Sequence, residues 1–497
     1  MFTIFAEFYK HNLSMGMKKK YSKEHIHRVF TFFLGVVFSA ILLSCNKIVI
    51  EPEPVLEIEM RKGYSYQLPA LNNGQWVSDN PLVATVSSTG LITAVGPGKA
   101  TISTYSSKGE QTIVCYLEVY LKRNILFYIA TDADAGIDGD TPGKINNIRA
   151  GWKPDQGEML IFVDRRGEGA SLLHINNTLA GGHYGIDTLK VYGERNSADA
   201  AVFRHFMDTA TLLYPADSYG LLFFSHASGW LPKGALNNPI TPRSLVIDNG
   251  TGTRHEMEYT DFAAAIPNKK FDFIIFEACL MADVMSMYEL RNKTDYVLAS
   301  SAEIVAPGFT NIYQKEIMRL YDTKNRVADV VSGFGEAYYN YLKRFPETDV
   351  YCSLTLSVVK MSEMQNLATT VKAALNGKEI SEKTLQTTEI QQFDRPNKLI
   401  SGSPKKSRYF DLGHIIQVLA TDIQYAAFHA QLEKTVIWKD HTKRFMLENY
   451  ANGNPNYAEY DGFFVNRHCG MTTYIEQDAY PVLNAAYKNS SWYKAIN

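Results

Sequence analysis

Cysteine is scarce in this chain. Five stand among 497 residues (Cys45, Cys115, Cys279, Cys352 and Cys469), and no two form a CxxC pair. Such sparse spacing excludes a disulfide framework and argues against structural zinc. An excess of either charge is also missing: 50 Lys and Arg face 52 Asp and Glu, for a formal net charge of −2. No basic block dominates outside the extreme N-terminus, so nucleic acid is not an expected partner. A membrane-spanning run is lacking as well, since the apolar stretch VFTFFLGVVFSAILL at residues 29–43 falls short of the roughly 20 residues a spanning helix needs. Core-building material, by contrast, is plentiful: 45% of residues are hydrophobic and 12% aromatic, on a chain long enough for two or three domains.

The short apolar run makes sense as a targeting segment. It follows the basic stretch MKKKYSKEHIHR, which begins at Met17, a better start than Met1, and it ends LLSC with Ser44 directly before Cys45. That ending resembles a bacterial lipobox, in which the cysteine becomes the lipidated first residue of the mature protein. Residues 1–45 are therefore expected to be a lipoprotein signal peptide. The mature protein would be exported from the cytoplasm and tethered to a membrane of the bacterial cell envelope by one lipidated end. An acidic, proline-bearing tether follows at 46–59.

Residues 60–121 are dense in turn signals, at Asn72-Asn73-Gly74, Asn80-Pro81, Thr89-Gly90 and Gly96-Pro97-Gly98. Strands that close together predict a small all-β sandwich. In TIVCYLEVY, alternation puts Ile113, Cys115, Leu117 and Val119 on one inward face. The stretch WVSDNPLVATVSSTGLITAVGPGKATIS resembles the bacterial immunoglobulin-like group-two module, which implies a spacer or adhesive stalk.

From residue 122 to 497 the pattern changes. Apolar strands at 124–130, 158–164, 188–193, 219–225, 271–277 and 295–301 alternate with helical stretches such as 202–214 and 259–266. Runs this apolar, separated by helices, predict an α/β domain with a mostly parallel sheet covered by helices on both faces. Ser362 and Gln365 have capping-box spacing at the head of a further helix.

Two of these strands end on chemically active residues. FDFIIFE runs into Ala278-Cys279, and the following Met281, Val284, Met285 and Tyr288 repeat with helical period. A thiol at a helix N-terminus faces free N–H groups and the positive end of the dipole, which favours the thiolate. Taken alone, Cys279 reads more readily as a small buried hydrophobe than as a nucleophile. The second strand, in LLFFSHASGW, ends on Ser225-His226. Ligands of open α/β sheets bind outside the carboxyl ends of strands, so His226 and Cys279 are expected to face one crevice. Either residue alone also reads as structural; the pair has the spacing of a crossover between adjacent parallel strands.

HASGW, then EACLM, then DYVLASSAEI, with NILFYIA before them and CGMTTYIEQ and WYKA after, resemble the clostripain family of cysteine peptidases. The resemblance runs from about Asn124 to the C-terminus. It implies a caspase-like fold and a cysteine endopeptidase with His226 as general base and Cys279 as nucleophile. It also implies an oxyanion hole made by the backbone N–H groups of Ala227 and Cys279. Glu277 stands where the family usually has Asp, and a carboxylate there implies cleavage after Arg or Lys, with Glu303 as a second pocket charge. Ala227 replaces the family's usual Gly, a strain if the site needs positive φ. That substitution sustains a different reading, a catalytically impaired surface lipoprotein acting in adhesion or binding.

The expected partners are a protein or peptide substrate and, through the lipid, a membrane. The chemistry requires no cofactor. Asp132, Asp134, Asp138 and Asp140 cluster in the Gly-containing stretch TDADAGIDGDTPG, an oxygen-rich loop of the kind that holds calcium, although its spacing is not that of an EF-hand. Lys233 and Arg243, in the polar LPKGALNNPITPRS between the two active residues, offer sites for self-cleavage.

Overall fold

The computed structural model describes residues 55–69, 75–105, 109, 111–133, 135–154, 156–234, 245–250, 252–394, 406–447 and 461–497. Cys45, Asp134 and Arg243 lie outside them. The chain divides into two compact units, one ending at Lys122 and one beginning at Arg123.

The first unit is all β. Its four-stranded sheet runs in the order Leu56–Arg61, Gln111–Tyr120, Gly98–Tyr105, Gln75–Ser78, and its three-stranded sheet in the order Ser65–Gln67, Leu91–Ala94, Ala84–Val86. Together they enclose a core that includes Trp76, Ile92, Ile102, Cys115 and Leu117. The strand Leu56–Arg61 draws residues that sequence alone assigns to the tether into this sheet. The expected inward face holds for Cys115, Leu117 and Val119, and burial pushes the Cys115 thiol up to about 12. Ile113 departs from it and is 38% exposed. A register shift between Ile102 and Ser103 pairs them with Cys115 and Ile113, so one residue is skipped and the alternation breaks there.

The second unit is built on a nine-stranded sheet. Five parallel strands form its middle, in the order Met159–Arg165, Arg123–Ala130, Ser218–Phe224, Phe271–Glu277, Thr294–Ser300. Antiparallel strands extend both edges: Gly169–Ala180 and His183–Gly193 on one side, Thr355–Lys360 and Val436–His441 on the other. The near-continuous apolar runs in the sequence reflect burial on both faces. In Arg123–Ala130 every residue is buried. Leu126, Tyr128 and Ala130 enter one core, beside the helices Ala200–Leu213, Val284–Leu290 and Met364–Leu375. Ile125, Phe127 and Ile129 enter the other, beside Ala135–Gly151, Thr310–Glu316 and Val327–Leu342.

Three local expectations are corrected. Residues 188–193 are not a strand of the parallel series. They belong to the edge hairpin that turns at Gly181-Gly182, both with positive φ. The edge strand itself carries no buried residue, and its register is broken in three places. The capping box at Ser362 does not form, because a 3₁₀ turn over Met361–Glu363 intervenes and the helix starts from Glu363 without a side-chain cap. The acidic stretch read as a calcium loop is largely the first half of the helix Ala135–Gly151, which keeps Pro142 in its interior while burying Thr141, Lys144 and Ile148.

Candidate active site

The parallel strands Ser218–Phe224 and Phe271–Glu277 are direct neighbours, and their register pairs Phe224 with Glu277. His226 and Cys279 each stand two residues beyond that pair, on adjacent strand ends at the same level. Both are half-buried, whereas every other residue of Leu221–Trp230 and of Phe273–Tyr288 is buried. The apolar sequence thus packs both turns down and leaves one imidazole and one thiol reachable from solvent.

The two turns touch. Gly229 has φ +54, and a Cβ there would lie 2.4 Å from the Leu280 carbonyl oxygen and 2.6 Å from Asp283 Oδ2. Only glycine fits that close approach. Leu280, directly after the thiol, is itself left-handed at φ 63. Ala227 is not among the left-handed residues, so it takes the position after His226 without strain and keeps its N–H. Behind the turn, the Tyr409 hydroxyl donates to the Ser228 carbonyl.

Cys279 does not cap a helix. The next helix is Val284–Leu290, with Asp283 as N-cap accepting from Ser286 N at 2.9 Å. Between the thiol and that cap, Leu280 N donates to Ala302 O and Ala282 N to Ser300 O, so the turn is bonded to the neighbouring segment before any helix begins. The helix-dipole argument for the thiolate therefore falls. A backbone donor, Ile304 N, lies 3.4 Å from the sulfur. Ile304 belongs to the half-buried run Glu303–Val305, which places Glu303 on the loop that flanks the thiol. Nearby, His468 is buried with Nε2 3.2 Å from Ser301 Oγ, and burial holds its pKa well below the ordinary value.

Glu277 is not an open pocket carboxylate. It is 3% exposed, and its oxygens accept from Lys144 Nζ at 2.6 Å, Phe309 N at 2.5 Å and Tyr313 OH at 2.8 Å. Lys144 is wholly buried, bonded to Thr310 Oγ1 at 2.8 Å, with its ammonium 4.1 Å from the centre of the Phe224 ring. Burial pushes the Glu277 carboxyl up and the Lys144 ammonium down, and their contact works against both shifts. Sequence reasoning missed Lys144, since a lysine inside a Gly- and Pro-bearing stretch gives no signal of burial.

The calcium loop is dispersed. Asp138 pairs with Arg165 at 3.1 Å, and Asp140 sits on the same helix as Lys144. Asp132 instead joins Asp164 and Asp248, all three buried, with one oxygen from each within 4.8 Å of the others. Burial and the neighbouring carboxylates push Asp132 up to about 6 and Asp164 up to about 8. Asp164 and Asp248 went unread although each closes an apolar strand, the same pattern that singled out Glu277. Lys233, offered as a cleavage site, is exposed, with its backbone N–H held by Glu258 Oε1 at 2.6 Å.

Comparison with known proteins follows the same division. The model of the clostripain family matches residues 141–497, and that of the bacterial Ig-like domain (group 2) matches residues 62–116. Among solved structures, an inactive zymogen C11 protease from Parabacteroides distasonis is 29% identical, with a TM-score of 0.62, over 76% of this chain and 98% of that one. A secreted C11 cysteine protease from Bacteroides thetaiotaomicron, in complex with an irreversible peptide inhibitor, is 26% identical, again with a TM-score of 0.62, over 76% of this chain and 99% of that one. No curated protein matches. The mixed sheet with helices on both faces and the immunoglobulin-like module are thus the expected caspase-like and Ig-like folds.

Proposed function

Because the chain belongs to the clostripain family and is a cysteine-type endopeptidase, we propose that His226 and Cys279 are its catalytic dyad. The observation that carries this is their placement two residues past one register pair on adjacent parallel strands, the only half-buried residues in two otherwise buried turns. His226 takes the thiol proton as the sulfur attacks the scissile carbonyl, then returns it to the leaving amine; water hydrolyses the resulting thioester. The N–H groups of Ala227 and Cys279 receive the oxyanion, each donor contributing about 10²–10³ in rate. Ala227 lies outside the left-handed region, so the strain that favoured an impaired binding protein is gone. The inhibitor complex of the Bacteroides thetaiotaomicron protease supports a peptide substrate here too.

Covalent labelling tests the assignment. A thiol-directed acyloxymethyl ketone peptide should label the wild type and neither Cys279→Ala nor His226→Ala, and kcat/KM should fall at least about 10³-fold in both. Labelling that survives in Cys279→Ala would overturn the dyad.

Cleavage after Arg or Lys belongs to this proposal, and it rests on Glu303, because the Glu277 carboxylate is already engaged. Arg and Lys substrates should outrun an Asn substrate in the wild type, and Glu303→Gln should erase the difference. An unchanged ratio would remove Glu303 from the pocket. We also infer that Cys45 carries the lipid that tethers the protein to the cell envelope. Cys45→Ser should leave the protein unlipidated by mass spectrometry and free of the membrane fraction.

A further inference from the structure

The segment 303–309 brings Ile304 N to 3.4 Å from Cys279 Sγ, and its far side is tied to the same strand end. Glu277 closes the strand Phe271–Glu277, two residues before the thiol. Its Oε1 accepts from Phe309 N at 2.5 Å, and its Oε2 accepts from the Tyr313 hydroxyl at 2.8 Å. Lys144 Nζ, 2.6 Å from Glu277 Oε1, reaches the segment too. It donates to Thr310 Oγ1 at 2.8 Å and to Pro307 O at 3.4 Å. Thr310 Oγ1 in turn donates to Pro307 O at 2.7 Å. Gly308 lies between these bonds with φ +62, and a Cβ on it would overlap Glu277 Oε1. Glycine lets the backbone pass that close to the carboxylate.

These bonds close a short circuit. It runs from Cys279 back to Glu277, across to Phe309, and along the segment to Ile304, which returns to the sulfur. At the Glu277 end neither side chain of the ion pair is more than 1% exposed. Hydrogen bonds to charged groups are strong there, and they hold the segment to one geometry. At the other end Cys279 and residues 303–305 are half-buried, within reach of solvent. An N–H that donates to a sulfur favours its charged form. With no helix N-terminus at Cys279, Ile304 N supplies that support.

We infer that Glu277 and Lys144 are positioning residues: their buried pair clamps the segment 303–309 so that Ile304 N stays bonded to the Cys279 sulfur and supports its thiolate. The inference rests on Cys279 being the nucleophile. It gives the carboxylate of Glu277 a task other than meeting substrate.

The test alkylates the full chain with iodoacetamide across a pH series and follows Cys279 by peptide mass spectrometry. Cys115, Cys352 and Cys469 are buried and compete little. The midpoint of the rate reports the thiolate. Two double variants remove both buried charges together, a change that proteins tolerate far better than losing one partner. Lys144→Met with Glu277→Gln keeps an acceptor for Phe309 N and should retain the wild-type midpoint. Lys144→Met with Glu277→Met lacks one and should raise the midpoint by about one pH unit. Gly308→Ala leaves both charges in place but pushes the segment off Glu277, and should raise the midpoint in the same direction. An unmoved midpoint in the Met–Met variant overturns the inference, as does a Met–Gln variant shifted just as far. Should the Met–Met variant fail to fold in urea titration, Gly308→Ala decides, and an unmoved midpoint there overturns it. Alkylation reads the sulfur rather than turnover, so such a failure leaves the dyad standing. Failure of the dyad would instead show as peptide turnover that survives Cys279→Ala.

Discussion

Lys144 and Glu277 show how a single missed residue alters a functional reading. Sequence alone offers Glu277 as a specificity carboxylate two residues before the nucleophile. The fold supplies it with a buried ammonium at 2.6 Å, and neither side chain is more than 1% exposed. Breaking such a pair from one side leaves an uncompensated buried charge. Lys144→Met should therefore destabilise the protein by about 3–5 kcal/mol in urea unfolding, and Lys144→Met with Glu277→Gln should recover most of that loss. The juxtaposition of His226 and Cys279 was legible, because each follows an apolar strand and the two strands are parallel neighbours. Lys144 was not, because its partner lies far along the chain and only the finished sheet brings them together. The buried acids Asp164 and Asp248 lay between these extremes: each ends an apolar strand, yet their convergence depends on which strands neighbour one another.

The turn that follows Cys279 is where sequence periodicity misled. Helical spacing from Met281 to Tyr288 was real, but the helix begins only at Val284 because Leu280 and Ala282 bond to the neighbouring segment first. Asp283, which caps that helix, is fully buried, and burial pushes its carboxyl up to about 7. The folded state then holds this proton more tightly than the unfolded chain does. Its contribution is complete below the unfolded value near 4 and is lost as pH rises through 7, at up to about 1.4 kcal/mol per unit. Asp283→Asn, which preserves the cap, should flatten the stability profile between pH 4 and 7; an unchanged slope would place the titration elsewhere. Gly229→Ala tests the contact between the two turns. Left-handed backbone alone costs an alanine about 1–2 kcal/mol, and the overlap with the Leu280 carbonyl adds to it, so both melting temperature and kcat/KM should drop.

Across the whole molecule, fold class and division were legible because each unit writes its own pattern: dense turns and alternation before residue 122, long apolar runs spaced by helices after it. The edges of the large sheet were less so, since an antiparallel hairpin with polar alternation reads like any short strand. The residues named above around His226 and Cys279 belong to the second unit, and among the described residues its two cores share none with the first unit's core. A chain of residues 123–497 should therefore turn over a peptide substrate with unchanged kcat/KM, and calorimetry of the full chain should resolve two transitions. The hairpin edge His183–Gly193 has one more consequence. A bare strand edge invites a second molecule to zip onto it, but three register breaks and a lysine at position 190 spoil the straight ladder such zipping requires. Crowded at high concentration, the protein should resist fibre formation from this side without needing a partner to shield it.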